Sequence, residues 1–191
     1  MTSSIAPGPH DALLVVDVQN DFLPGGALGV AGGDRVIAPL NAAIEAFVAA
    51  KRPIYATRDW HTPDHCSFKP QGGPWPPHCI AHSHGAQFAA ALRLPASAVV
   101  ISKATTRAAD AYSGFEGTDL AERLAAQGIR RVFVGGLTTD YCVLHTALDA
   151  RAAGLEVVVL EDAVRAVNAA AKDGAHAIER IRASGATLLR S

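Results

Sequence analysis

Asp59 and His61 stand two residues apart, at the end of a short apolar run from Ile54 to Arg58. In extended backbone such a pair points to one face. A carboxylate and an imidazole on one face make half of a common divalent-metal site. The stretch around them, RDWHTPDHCSFKPQGGPWPPHCIAHSHG at 58–85, offers His65, His78, His82 and His84 as further ligands. It holds five of the eight histidines, and proline and glycine break it too often for a helix or a long strand. Its tryptophans and cysteines argue against disorder. A long ordered loop in a compact domain is usually functional. Three protein ligands would leave a coordination position open, as a catalytic metal requires. The competing reading is a closed structural zinc site using Cys66 and Cys79 with histidines, although the chain has no C-x2-C pair.

Cys142 is the second focus. A free cysteine is most often a small buried hydrophobe. This one falls in the first turn of an expected helix, behind Gly135-Gly136, where the helix dipole favours a thiolate. Backbone N–H groups at such a turn can hold an oxyanion. Its partner base could be His145, three residues on. It could also be Asp17, whose carboxyl would be tuned by burial beside the thiol. Lys103 would favour the anionic state of such a pair.

The elements that must position these groups alternate. Ala12 to Val18 is an apolar run of strand length, of the kind found in the middle of a covered parallel sheet. A helix follows from an Asp34 cap, with Ile37, Leu40, Ile44, Phe47 and Val48 at helical spacing. Ile54–Arg58 is a second strand, Gln87–Arg93 a short helix, and Ala98–Ser102 a third strand ending at Lys103. Thr118 caps a helix to Gln127, and Val132–Val134 is a fourth strand broken by Gly135-Gly136. Thr138 or Thr139 caps a helix to about Ala153, with Val143, Leu144, Ala147 and Leu148 inward. Val157–Leu160, a helix over Ala169–Ala183 and a strand Thr187–Leu189 complete the chain. This βα alternation means parallel strands with helices on both faces: one three-layer α/β/α domain over 11–191, Rossmann-like, with a mostly parallel six-stranded sheet. Residues 1–10 read as a flexible tail, and 58–85 as the metal-binding loop. Ligands bind beyond the carboxyl ends of such strands. Asp17, Lys103 and Cys142 all fall there.

Composition narrows the function. Seventeen Lys and Arg against 18 Asp and Glu give no electrostatic case for nucleic acid or an anionic membrane. The start of the chain lacks a signal-peptide pattern, no apolar run spans a membrane, and an odd count of three cysteines suits reduced thiols. We therefore expect a cytoplasmic protein, with a homo-oligomer left open. The glycines after the first strand never form G-x-G-x-x-G, and no Gly-Lys pair builds a phosphate loop, which argues against nucleotide binding.

Five stretches, DVQNDFLPGGALGV at 17–30, RDWHTPDHCSF at 58–68, GPWPPHC at 73–79, Lys103, and GLTTDYCV at 136–143, resemble the nicotinamidases (pyrazinamidases) among the isochorismatase-like cysteine hydrolases. The resemblance runs from residue 13 to about residue 165. It implies a triad of Asp17, Lys103 and Cys142, with Asp17 rather than His145 as the base. It implies metal ligands Asp59, His61 and His78, with His65 as a further candidate, and one divalent ion: zinc, manganese or iron. It implies a cis peptide before Thr138 and an oxyanion hole from the N–H groups of Thr138 and Cys142. Phe22, Trp75 and Tyr112 match positions around a ring pocket. The implied reaction is hydrolysis of nicotinamide, and also pyrazinamide, through a thioester, in NAD salvage. IAHSHGA at 80–86, with His82 and His84, departs from the Gly-Thr-Gly-Ala-like segment of many relatives, and neither these histidines nor Cys66 and Cys79 carry an implied role.

Overall fold

β1, Asp11–Val16, is buried along its whole length. It lies between two parallel neighbours, and its alternate side chains feed two separate cores. Ala12, Leu14 and Val16 join one cluster; Leu13 and Val15 join the other. That is the period-2 alternation of a strand covered on both faces. The computed structural model describes residues 5–190.

The other strands are β2 (Ile54–Asp59), β3 (Val99–Lys103), β4 (Arg131–Leu137), β5 (Glu156–Arg165) and β6 (Thr187–Leu189). They form one sheet in the order β3-β2-β1-β4-β5-β6, with every pairing parallel. The order reverses between β1 and β4, the switch point where α/β folds open a crevice. α1 (Ile37–Ala49) covers one face through Leu40, Ala43, Ile44 and Phe47. α2 (Leu120–Ala126), α3 (Leu144–Ala152) and α4 (Asp173–Ala183) cover the other. Each fully buried Leu, Ile or Phe stabilises this packing by about 1.5–3 kcal/mol. The chain is thus a single α/β/α domain.

Several local expectations are corrected. Gln87–Arg93 forms turns, not a helix. Phe88 bridges to Gln19, and Ala89 N–H bonds to Val18 O, so this segment satisfies its backbone against the loop after β1. Ala86, Ala89 and Leu92 still reach the core beneath α1. Asp34 lies inside a 3-10 turn, Gly33–Val36, and makes no capping bond. Val48 is 48% exposed, because it follows Phe47 onto the outer side of α1. Gly135-Gly136 does not break β4; the strand continues to Leu137, with a register shift against β5 at this point. Neither Thr138 nor Thr139 caps α3 by a side-chain bond: a π turn, Thr139–Val143, intervenes. Thr118 precedes α2 by one more residue than a cap, yet its Oγ1 accepts Leu120 N–H. α4 begins at Asp173 rather than Ala169.

Of the expected tail, Met1–Ser4 lie outside the described residues. Ile5 packs on the core, and His10 O accepts the N–H of Arg130 and Arg131. Among the described residues no helix is long and apolar enough to cross a membrane.

Candidate active site and metal centre

Strand register explains why the polar side chains converge. In the parallel sheet Val16 pairs with Thr57, and Asp59 with Lys103. Tyr55 and Ile101, two residues before Thr57 and Lys103, belong to the same core cluster as Val16. By alternation Thr57, Asp59 and Lys103 continue that face past the carboxyl edge of the apolar core. Asp17 turns off the end of β1 with φ 48°. Aspartate tolerates this left-handed backbone better than most residues. Cys79, just after His78, and Ala104, just after Lys103, also have positive φ, so the chain leaves three of the site's segments in sharp turns.

Lys103 is the hub. Its ammonium donates to Asp59 Oδ1, and lies 2.9 Å from Asp17 Oδ2, 3.3 Å from Ala111 O and 3.5 Å from Cys142 Sγ. Thr57 Oγ1 donates to the other Asp17 oxygen at 2.6 Å. All five side chains, Lys103, Asp59, Asp17, Cys142 and Thr57, are withdrawn from water. Burial would disfavour the Lys103 cation, but Asp17 and Asp59 hold its pKa well above the ordinary lysine value. Burial raises the Asp17 carboxyl, with Lys103 only partly opposing it. Burial also raises Asp59, yet Lys103, His61 and His78 together bring it below the usual range. The Cys142 thiol is pushed well up, chiefly by burial, so at rest it carries its proton.

Cys142 reaches this cluster from the π turn ahead of α3. The peptide between Leu137 and Thr138 is cis. Thr138 O accepts N–H bonds from Tyr141 and Val143, which fold the turn back under the strand end. His145, the rival base, is directed elsewhere: its ring packs on Tyr112 and lines an outer groove with Asp173, His176 and Arg180.

Beside this cluster the ligand atoms of Asp59, His61 and His78 lie within 4.8 Å of one another, all three residues buried. His61 Nδ1 donates to His78 O at 3.0 Å, and His78 Nδ1 donates to Pro76 O at 2.8 Å. A carbonyl only accepts, so both Nδ1 atoms carry a hydrogen, which leaves Nε2 of each ring as the nitrogen a metal could take. Metal-binding histidines are oriented in this way. Two buried carboxylates also face a single ammonium here, an excess of negative charge that a cation would balance. The donor set fits a divalent metal.

His65 stacks on His61 with ring centroids 4.4 Å apart. Its Nε2 meets Ala109 O at 3.1 Å and its Nδ1 meets Ser67 Oγ at 2.8 Å, while with His61 and Asp110 it forms a second group of metal-type donor atoms within 4.8 Å of one another. Cys66 and Cys79 join no cluster of metal-type donors among the described residues, which removes the basis for a closed cysteine-zinc site. Cys79 is instead a buried thiol whose pKa burial raises. His82 lies edge-on to Trp60, which Arg58 covers, and His84 O takes a bond from Asn20.

A pocket adjoins both centres, with Cys142, Thr138 and His78 all in its lining. Phe22, Trp75 and Tyr112 line it, as the motifs imply. Trp75 Nε1 donates to Tyr112 OH at 3.0 Å, and Tyr141 meets Trp75 edge-on at 5.0 Å. Tyr141 and Leu28 were not singled out in the sequence, although Tyr141 adjoins Cys142 and Leu28 lies within the first matching stretch. Asp110 and Val167 come from loops whose sequence carries no comparable signal.

Comparison with known proteins gives a consistent outcome. Residues 11–191 match the isochorismatase domain. The chain is 38% identical over 201 residues to the nicotinamidase of Escherichia coli strain K12, covering 94% of each. Pyrazinamidase of Pyrococcus horikoshii, solved in complex with zinc, superposes with a TM-score of 0.92 at 47% identity, over 96% of this chain and 100% of that one. PnC1 from L. infantum, solved in complex with nicotinate, superposes with a TM-score of 0.90 at 39% identity, over 100% of this chain and 96% of that one.

Proposed function

The chain belongs to the isochorismatase family, and we propose that its buried centre hydrolyses nicotinamide to nicotinate and ammonia, and pyrazinamide likewise, by a cysteine nucleophile beside a divalent metal. The observation that carries this reading is the cavity itself. Cys142 and His78 both line it, together with the aromatic side chains Phe22, Trp75 and Tyr112.

Asp59, His61 and His78 would hold the ion, which zinc, manganese or iron could each supply. When bound, it would supply a Lewis acid to which a pyridine nitrogen could be anchored. Phe22 and Trp75 flank the ring, and Tyr112 fixes the Trp75 indole through its hydroxyl. Cys142 Sγ then lies opposite the carboxamide carbon, which is catalysis by positioning.

Proton traffic runs through Asp17. Burial raises its carboxyl above the ordinary value and so makes the carboxylate a stronger base, which takes the Cys142 proton as sulfur attacks carbon. Lys103, beside both groups, stabilises the thiolate as it forms. The N–H groups of Thr138 and Cys142 receive the charge that develops on the amide oxygen. The carbon–nitrogen bond breaks, and ammonia leaves with the proton from Asp17. A thioester remains on Cys142. Asp17 then deprotonates water, whose oxygen displaces the sulfur; nicotinate departs and the thiol regains its proton. In this reading the reaction returns nicotinamide to NAD salvage.

Nicotinamide and benzamide differ only by N against C–H at one ring position, so they test the anchoring directly. Ammonia release from nicotinamide should exceed that from benzamide by at least about a hundredfold. Equal rates would mean that the ring nitrogen is not held.

A further inference from the structure

Gln19 lies two residues beyond Asp17 and is fully buried, yet the mechanism above gives it no task. Its side chain makes three bonds. Oε1 accepts Asp59 N–H at 2.8 Å, while Nε2 donates to Asp59 O at 2.8 Å and to Ala86 O at 3.0 Å. Only one orientation of the amide satisfies all three, because both carbonyls need a donor.

The pattern is that of a missing strand. β1 ends at Val16, opposite Thr57, so its backbone no longer runs beside Asp59. On the other side β2 remains paired, and Trp60 N–H bonds to Lys103 O. The N–H and C=O of Asp59 that face the β1 side would be left buried without partners. The Gln19 carboxamide takes both, as one residue of a neighbouring strand would. On the same loop Asp21 Oδ2 accepts Cys79 N–H at 2.7 Å, just after His78. The turn that carries Asp17 is therefore tied to the backbone beside two metal-type ligands.

We propose that Gln19 is a positioning residue for the metal centre, its side-chain amide standing in for a strand so that the Asp59 carboxylate is held toward His61 and His78. The inference rests on the reading of Asp59, His61 and His78 as metal ligands. Losing a partner that orients a ligand typically weakens metal binding by about 10–100-fold. A role confined to packing would lower stability without that selective loss.

The test measures the zinc Kd of metal-stripped protein by competition with a chromophoric chelator, with the thermal midpoint of the stripped protein read in parallel. Gln19→Met keeps the length of the side chain and removes all three bonds. Gln19→Asn keeps the amide but draws it back by one methylene, and it carries the test if Gln19→Met fails to fold. The proposal expects zinc binding weakened by about 10–100-fold in either folded variant. Wild-type zinc affinity in a folded variant would overturn it, even if the thermal midpoint had fallen. If the wild-type protein bound zinc no better than Asp59→Ala, the metal reading itself would fail, and this proposal with it.

Discussion

Lys103 holds its charge while only 1% exposed, between two carboxylates and a thiol. An ammonium in that position is stable only because its partners are charged, and they are tolerated only because it is present. Removing one member of a buried ionic group costs about 3–5 kcal/mol, since the others stay desolvated and unpaired. Lys103→Met should therefore lose stability on that scale, read as a lowered denaturant midpoint, along with activity. Near-wild-type stability would mean that Asp17 and Asp59 are not both ionised in the folded protein. Cys142 should behave in the opposite way. The thiol is small, and alanine fills most of its volume, so Cys142→Ala should fold normally. Ammonia release should nevertheless fall by roughly a thousandfold or more. Residual turnover near wild type would rule out the thioester route.

At the scale of elements, the site depends on how β1 and β4 run side by side. Gly136 pairs with Val16 and has φ 133°, and a Cβ there would collide with the Val16 backbone. Gly136→Ala should destabilise by at least about 2 kcal/mol, measured by chemical unfolding, through strain and forced separation of the strands. The opposite end of the same strand pair is clamped. Asp11 takes bonds from Arg131 Nε at 2.9 Å and Nη2 at 2.6 Å. Burial would raise the Asp11 carboxyl, but Arg131 and Gly8 N–H outweigh it and leave its pKa below the ordinary 3.8. A carboxylate with a depressed folded pKa adds stability above the unfolded value and loses it as pH falls through the folded one. Wild type should exceed Asp11→Asn by about 1–2 kcal/mol at neutral pH, the pair being partly open to solvent. That difference should shrink as pH drops below 3.8; a constant difference would show that the charge is not its source. β1 was legible from its unbroken apolar run, and β2 from its delivery into Asp59-Trp60-His61. The residues 87–93 were not. Phe88 and Leu92 have helical spacing, but Phe88 bridges to Gln19 and Ala89 N–H bonds to Val18 O, distant pairings that local periodicity cannot reveal. The π turn around Cys142 is equally silent, because five residues carry no period of their own.

Over the whole molecule, two apolar clusters on opposite faces of the sheet hold the fold, and the polar centre occupies the crevice where strand order reverses. That Asp17, Lys103 and Cys142 would converge with Asp59, His61 and His78 could be read from motifs, since the chemistry they suggest needs particular residue types. The role of Gln19 could not, because it depends on where β1 stops relative to β2. Neither core is built on the metal-type ligands. Stripping metal with a chelator should therefore abolish ammonia release while unfolding remains cooperative, with the midpoint shifted only by the lost binding energy. Loss of cooperative unfolding on chelation would make the ion structural. The most direct test of the central claim is a single stoichiometric assay: metal-loaded protein with nicotinamide, ammonia and nicotinate quantified together. The structure and its relatives predict the two products in equal amounts, continuing over many turnovers. No nicotinate from nicotinamide, with metal present and the fold intact, would contradict the account.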